Sequence, residues 1–181
     1  NGKIEAIKFA RLNKIPFLGI CYGMQMAIIE FARNKLKIRN ATSSEFDKKG
    51  IPIIGLLDEW YKDGEIIKGT DKYLGGTMRL GSFAAELKDS SNIKKIYGKK
   101  FINERHRHRY EVNINYKEKF EKNGLLFSGI SPDGLLPEII ELKNHPWFIG
   151  VQFHPEFKSR PLSPHPLFSS FIKASKNHRW A

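Results

Sequence analysis

Residues 15–33 read IPFLGICYGMQMAIIEFAR, and this stretch decides the fold. Positions 15–20 form an apolar run that passes through Gly19, Ile20, Cys21, Tyr22 and Gly23, after which Met24, Ala27, Ile28 and Phe31 recur at helical spacing. A strand turning tightly into a helix, with G-x-C-x-G at the corner, is the setting of a nucleophile elbow with sulfur in place of a hydroxyl. The two glycines are expected to let the backbone fold without a Cβ clash, leaving Cys21 exposed on the turn. The helix that follows directs free N–H groups and its positive dipole end at that side chain, so the thiolate is expected over the thiol. A lone cysteine in an apolar run can equally be an inert core residue. The glycine spacing in this context favours the reactive reading.

Outward from the elbow, residues 2–11 have Ile4, Ile7 and Ala10 on one face and predict a helix that feeds the strand at 15–20. Helix, buried strand, helix is half of a doubly wound arrangement. The expected fold is therefore α/β, an open and mostly parallel sheet with flanking helices, and the nucleophile sits beyond the C-terminal end of its strand. The elbow helix is expected to reach Asn34. Residues 35–50 read as a polar loop, 52–57 as a short strand and 60–72 as a charged excursion. Residues 75–81, GGTMRLG, read as a bulged strand, since the Lys-Ser/Thr pair of a phosphate loop is missing. Short helices are expected at 90–97 and 116–123, ended by Gly98 and Gly124. Strands follow at 125–130, 136–142 and 147–153, joined by turns at Pro132-Asp133-Gly134 and Asn144-His145-Pro146. A Pro-rich loop at 161–166 leads to an amphipathic helix at 167–176.

The 181 residues suffice for one domain with a substantial core, and no apolar run approaches the ~20 residues of a membrane-spanning helix. One cysteine cannot make an internal disulfide, so a reducing, cytoplasmic setting is expected. The formal charge of +12 raises the prospect of anionic partners, although lysines scattered along the chain also suit a solvated surface. The stretch ERHRHRYEV at 104–112 should alternate, with Arg105, Arg107 and Arg109 on one face and His106 and His108 on the other. A metal pair is disfavoured by the flanking cations. The remaining readings are an RNA contact, a solvated strand edge, or an arginine that grips a carboxylate in bidentate fashion.

A cysteine nucleophile needs a base, and the base needs its tautomer fixed. His154-Pro155-Glu156 offers both. In an extended chain residues i and i+2 point the same way, and Pro155 is expected to keep the segment from turning helical. His154 could instead cap a strand and Glu156 sit in solvent, but combined with the elbow upstream the pair favours a Cys21–His154–Glu156 triad.

These residues carry a resemblance. GICYGMQ followed by QFHPEF resembles the triad, or class I, glutamine amidotransferases. GTMRLG and RHRHRYEVN narrow the resemblance to the C-terminal glutaminase domain of the CTP synthase family, over nearly the whole chain. It implies a flavodoxin-like class I amidotransferase domain over residues 1–181, with several strands and a second oxyanion donor upstream of this chain. Cys21, His154 and Glu156 would then hydrolyse L-glutamine through a glutamyl thioester. Tyr22, Gly23, Met24 and Gln25 would line the substrate, with the Tyr22 N–H as an oxyanion donor. Glu45 would meet the substrate ammonium and Arg109 its α-carboxylate. Tyr22 stands where the family usually has Leu. The resemblance implies no cofactor or metal in this domain. A separate synthetase domain would use ATP and Mg2+ to aminate UTP to CTP, with GTP as activator, in a homo-oligomer free of nucleic acid and membrane. A papain-like protease is opposed by the absence of C-G-S-C-W. The remaining alternative is a basic nucleic-acid-binding module without catalysis.

Overall fold

A computed structural model describes residues 2–56, 61–62, 65–66 and 78–178. Helix α1 (Gly2–Leu12) runs into strand β1 (Phe17–Ile20) and elbow helix α2 (Tyr22–Asn34), as the apolar spacing predicts. Then come β2 (Ala41–Ser43), β3 (Ile51–Gly55), a two-residue pairing of β4 (Tyr61–Lys62) with β5 (Glu65–Ile66), and β6 (Arg79–Leu87). Helix α3 (Asn92–Tyr97) precedes β7 (Phe101–His108) and β8 (Glu111–Val112). Helix α4 (Lys117–Lys122) leads to β9 (Leu125–Ile130), β10 (Pro137–Leu142), β11 (Phe148–Val151) and the last helix, α5 (Pro166–Asn177).

Strands order as β1-β11-β10-β9-β6-β7 in a six-stranded sheet, and β2-β3-β8 form a smaller one. The class is α/β with flanking helices, as expected. Parallel pairing in the larger sheet, however, is confined to β1 with β11; the other four ladders are antiparallel. For β9, β10 and β11 the cause is connection length. The turns that join β9 to β10 and β10 to β11 are too short for the crossover that parallel neighbours require. In the smaller sheet, β2 and β3 are parallel. Strand β2 lies inside the expected polar loop, because its three residues, ATS, carry no apolar alternation. Most of the charged excursion at 60–72, and Gly75, Gly76 and Thr77 of the glycine-bracketed stretch, lie outside the described residues.

Two apolar clusters cover the two faces of the sheet. One gathers α1, α2 and α4 with Ile53, Phe127 and Phe148. The other gathers α3 and α5 with Ile102, Ile149 and Phe153. Helix α2 is buried on every side from Met24 to Ala32, so it is a core helix rather than an amphipathic surface one. Its one buried carboxylate, Glu30, takes a bidentate pair from Arg11 at 2.7 and 2.8 Å, which ties α1 to its back.

Candidate active site

Strands β1 and β11 run side by side in parallel, Ile20 opposite Val151, so their C-terminal ends finish together. Cys21 follows one strand, and Gln152, Phe153 and His154 follow the other. The Cys21 N–H donates to the Val151 carbonyl at 2.7 Å, closing the corner. Cys21 sits at φ 50°, ψ −103°, so the cysteine itself carries the backbone strain of the elbow. The two glycines differ from expectation in their roles. A Cβ on Gly19 would lie 2.8 Å from the Gly23 carbonyl carbon, so the close approach of helix to strand requires glycine there. One on Gly23 would meet nothing within 4 Å, so that side of the elbow is open.

The thiol also departs from expectation. Burial above all, with Glu111 and Glu156 adding to it once they are ionised, pushes Cys21 up to about 11. The Tyr22 N–H and the Gln152 amide pull it down, but less. A helix N-terminus alone therefore does not make the resting thiolate expected from sequence, because desolvation outweighs it.

His154 Nδ1 lies 2.6 Å from Glu156 Oε1, while its Nε2 is buried without a hydrogen-bond partner among the described residues. The segment reaches this geometry by a different route from the one expected. Pro155 opens a 3-10 turn, Pro155–Lys158, instead of keeping the chain extended. Proline suits the first position of a helical turn, where no N–H bond is lost. The turn is anchored to edge strand β7. The His154 N–H donates to the Arg105 carbonyl at 2.8 Å, and Lys158 Nζ to the Asn103 carbonyl at 2.5 Å. Buried Glu104 takes Lys158 on one oxygen at 3.4 Å, and on the other Tyr97 Oη at 3.0 Å and His165 Nε2 at 3.1 Å.

Strand β7 alternates as expected, with Arg105 and Arg107 exposed and His106 and His108 buried, and Arg109, just past its end, is exposed as well. The histidines belong to a buried polar cluster whose members lie far apart in the sequence. Arg79 bridges Glu111 Oε1 at 3.1 Å and Glu138 Oε1 at 2.8 Å, all three side chains being buried. His106 Nε2 stands 3.4 Å from Glu138, and His108 Nδ1 3.4 Å from Glu111. Burial and the nearby guanidinium push His106 down to about 2 and His108 to about 3, so both are neutral. Burial pushes Glu111 up to about 8 and Glu138 to about 6, with Arg79 opposing. One cation among two carboxyls needs only one of them ionised, so Glu111 retains its proton near neutrality. The signal available in sequence was Glu138 itself, a carboxylate inside the apolar strand PEIIEL.

Of the other expected binding residues, Tyr22 and Gly23 open α2 beside the sulfur, and Met24 is fully buried beneath them. Gln25 is turned inward, donating to the Tyr110 carbonyl at 2.9 Å and to Gln152 Oε1 at 3.2 Å. Glu45 is exposed. Its neighbour Phe46 meets the Tyr22 ring edge-on, which brings that loop to the mouth of the elbow. Arg109 is exposed and forms no ion pair with the described residues. A cavity of about 380 Å³ lined by Glu86, Lys88 and Lys117 shares no residue with this site. No metal-ligand cluster occurs among the described residues, and none of their helices is long and apolar enough to cross a membrane.

A family model described as glutamine amidotransferase class-I matches residues 1–174. The chain belongs to this family. The amidotransferase domain is 80% identical to CTP synthase of Pelagibacter ubique over 179 residues, which are 99% of this chain and 33% of that protein. It is 65% identical to CTP synthase of Bartonella quintana over 175 residues, 96% of this chain and 32% of that one. The chain thus spans about a third of the length of the curated relatives it matches. Among solved structures, the glutaminase domain of Trypanosoma brucei CTPS with bound acivicin superposes with a TM-score of 0.86 at 35% identity, covering 99% of this chain and 67% of that one. A putative GMP synthase subunit from Thermoplasma acidophilum, at 18% identity and a TM-score of 0.57 over 94% of this chain and 62% of that one, shares the fold alone.

Proposed function

We propose that this amidotransferase domain is the glutaminase of a CTP synthase, with Cys21, His154 and Glu156 as its catalytic residues. The observation that carries the reading is the common end of β1 and β11, which delivers a strained cysteine and a carboxylate-bound histidine to one corner of the sheet. With its thiol pushed up to about 11, Cys21 rests protonated and needs a base at the moment of attack. Glu156 holds His154 through Nδ1, which leaves Nε2 to accept the thiol proton as sulfur adds to the side-chain amide of L-glutamine. The Tyr22 N–H stabilises the developing oxyanion. The same imidazole then protonates the departing ammonia, and a glutamyl thioester forms. Water activated by His154 releases glutamate. Open space above Gly23 suits the substrate chain. Glu45 and Arg109, both exposed and without ion pairs to the described residues, suit the ammonium and carboxylate of a zwitterion, and Gln25 supports the pocket from behind.

In the longer protein the ammonia would pass to a synthetase domain that uses ATP and Mg2+ to aminate UTP, with GTP as activator, in a cytoplasmic homo-oligomer. The test is the full-length protein carrying Cys21→Ser. CTP formation with glutamine should be lost while formation with ammonia survives; loss of both, or of neither, would contradict the assignment.

A further inference from the structure

Gln152 is fully buried, directly follows β11, and points its Nε2 at the Cys21 sulfur from 3.6 Å. The orientation of its carboxamide is fixed by a chain of donors and acceptors. The Tyr110 carbonyl can only accept, so the Gln25 atom facing it at 2.9 Å is the amide nitrogen. The same nitrogen faces Gln152 at 3.2 Å, which must therefore present its oxygen there. What remains to meet the sulfur is the Gln152 amide N–H. The backbone helps hold the residue in place, since the Gln152 N–H donates to the Glu138 carbonyl at 2.8 Å.

We propose that Gln152 is a further catalytic residue, whose amide, locked by Gln25 and the Tyr110 carbonyl, donates to the Cys21 sulfur and so directs the thiol proton toward His154 and stabilises the sulfur anion as it forms. Its catalytic meaning rests on the glutaminase reading, whereas the contact with sulfur does not. A thiol that accepts a hydrogen bond on one side must turn its own proton elsewhere. A donor aimed at sulfur strengthens as charge develops, which is the property that lowers a barrier. The need for it is local. Burial and the Glu156 carboxylate oppose the anion, and the Tyr22 N–H is the other donor among the described residues that favours it. That N–H must also serve the oxyanion, so Gln152 is the donor that stays with the sulfur throughout. Gln25 acts through Gln152, as a positioning residue.

The test uses the full-length protein alkylated by iodoacetamide between pH 7 and 10, with the adduct located on the Cys21 peptide by mass spectrometry. Gln152→Met keeps the length of the side chain and removes the donor. Its Cys21 pH profile should move up by about one unit, with alkylation at pH 8 and kcat for glutamine hydrolysis both falling about tenfold, the size of one lost charge-assisted bond. Gln152→Glu, which sets a negative charge against sulfur, should move the profile further. An unmoved profile in Gln152→Met would overturn the proposal. Should that variant fail to fold, Gln25→Met leaves Gln152 in place but unlocks it; a smaller upward move supports the proposal and none overturns it. A profile shift in Gln152→Met together with a wild-type protein that hydrolyses no glutamine would sink the glutaminase reading and leave the sulfur contact standing.

Discussion

Histidine meets glutamate in two very different regions of this molecule. At the corner of the sheet, His154 and Glu156 share a 2.6 Å contact on a turn open to solvent. On the inner face of β6 and β7, His106 and His108 meet Glu138 and Glu111 at 3.4 Å in a buried cluster around Arg79. Residue type does not separate the pairs; surroundings do. A base must be able to take a proton, and burial beside a guanidinium leaves His106 and His108 neutral down to about 2 and 3. The first pair is the one we propose for proton transfer, and the second holds strands together.

Substitutions should separate the regions by kind of effect. The largest loss is expected from His154→Asn, which removes the base and should lower glutamine hydrolysis on the order of 10³-fold or more with little change in melting temperature. His106→Asn, the matching change in the buried cluster, should leave kcat within a few-fold. A comparable loss of activity in both would erase the distinction. Next comes Arg79→Met, which strands two buried carboxyls without their cation and should cost about 3–5 kcal/mol in a denaturant titration. Gly19→Ala should cost about 1–3 kcal/mol through its clash with Gly23, whereas Gly23→Ala should fold normally.

The smallest effect is a pH dependence. The folded-state pKa of Glu111 lies above that of the unfolded chain, so the native state keeps a proton that the unfolded state gives up above about 4.5. Stability should therefore fall as pH rises toward 8. The depressed histidines act in the opposite sense, losing stability as pH drops below 6.5. Between pH 6.5 and 8 the carboxyl acts alone. Glu111→Gln should flatten the decline in melting temperature there, and an unchanged slope would show that Glu111 does not hold the proton.

How much of this was legible in the sequence follows from the range of the interactions. The elbow could be read because strand, glycine and helix are neighbours in the chain, and α2 ends at Asn34 where the periodicity stops. The exposed arginines and buried histidines of β7 followed from its period of two. The antiparallel ladders around β9 and β10 were implied by the short turns, but the helix–strand–helix pattern around Cys21 pointed to parallel pairing. The cluster of Arg79, Glu111 and Glu138 was hidden, because it joins residues 32 and 59 positions apart. The thiol was misjudged for the same reason. Its helix dipole is local, while the burial that outweighs it comes from tertiary structure.

We propose that the pairing of β1 with β11 brings the sulfur under the control of the imidazole. It is tested most directly by treating the full-length protein with an electrophilic glutamine analogue and mapping the adduct by mass spectrometry, in wild type and in His154→Asn. A single adduct is expected on Cys21, forming far more slowly in the variant. An adduct elsewhere, or one that forms on Cys21 at the same rate without His154, would contradict it.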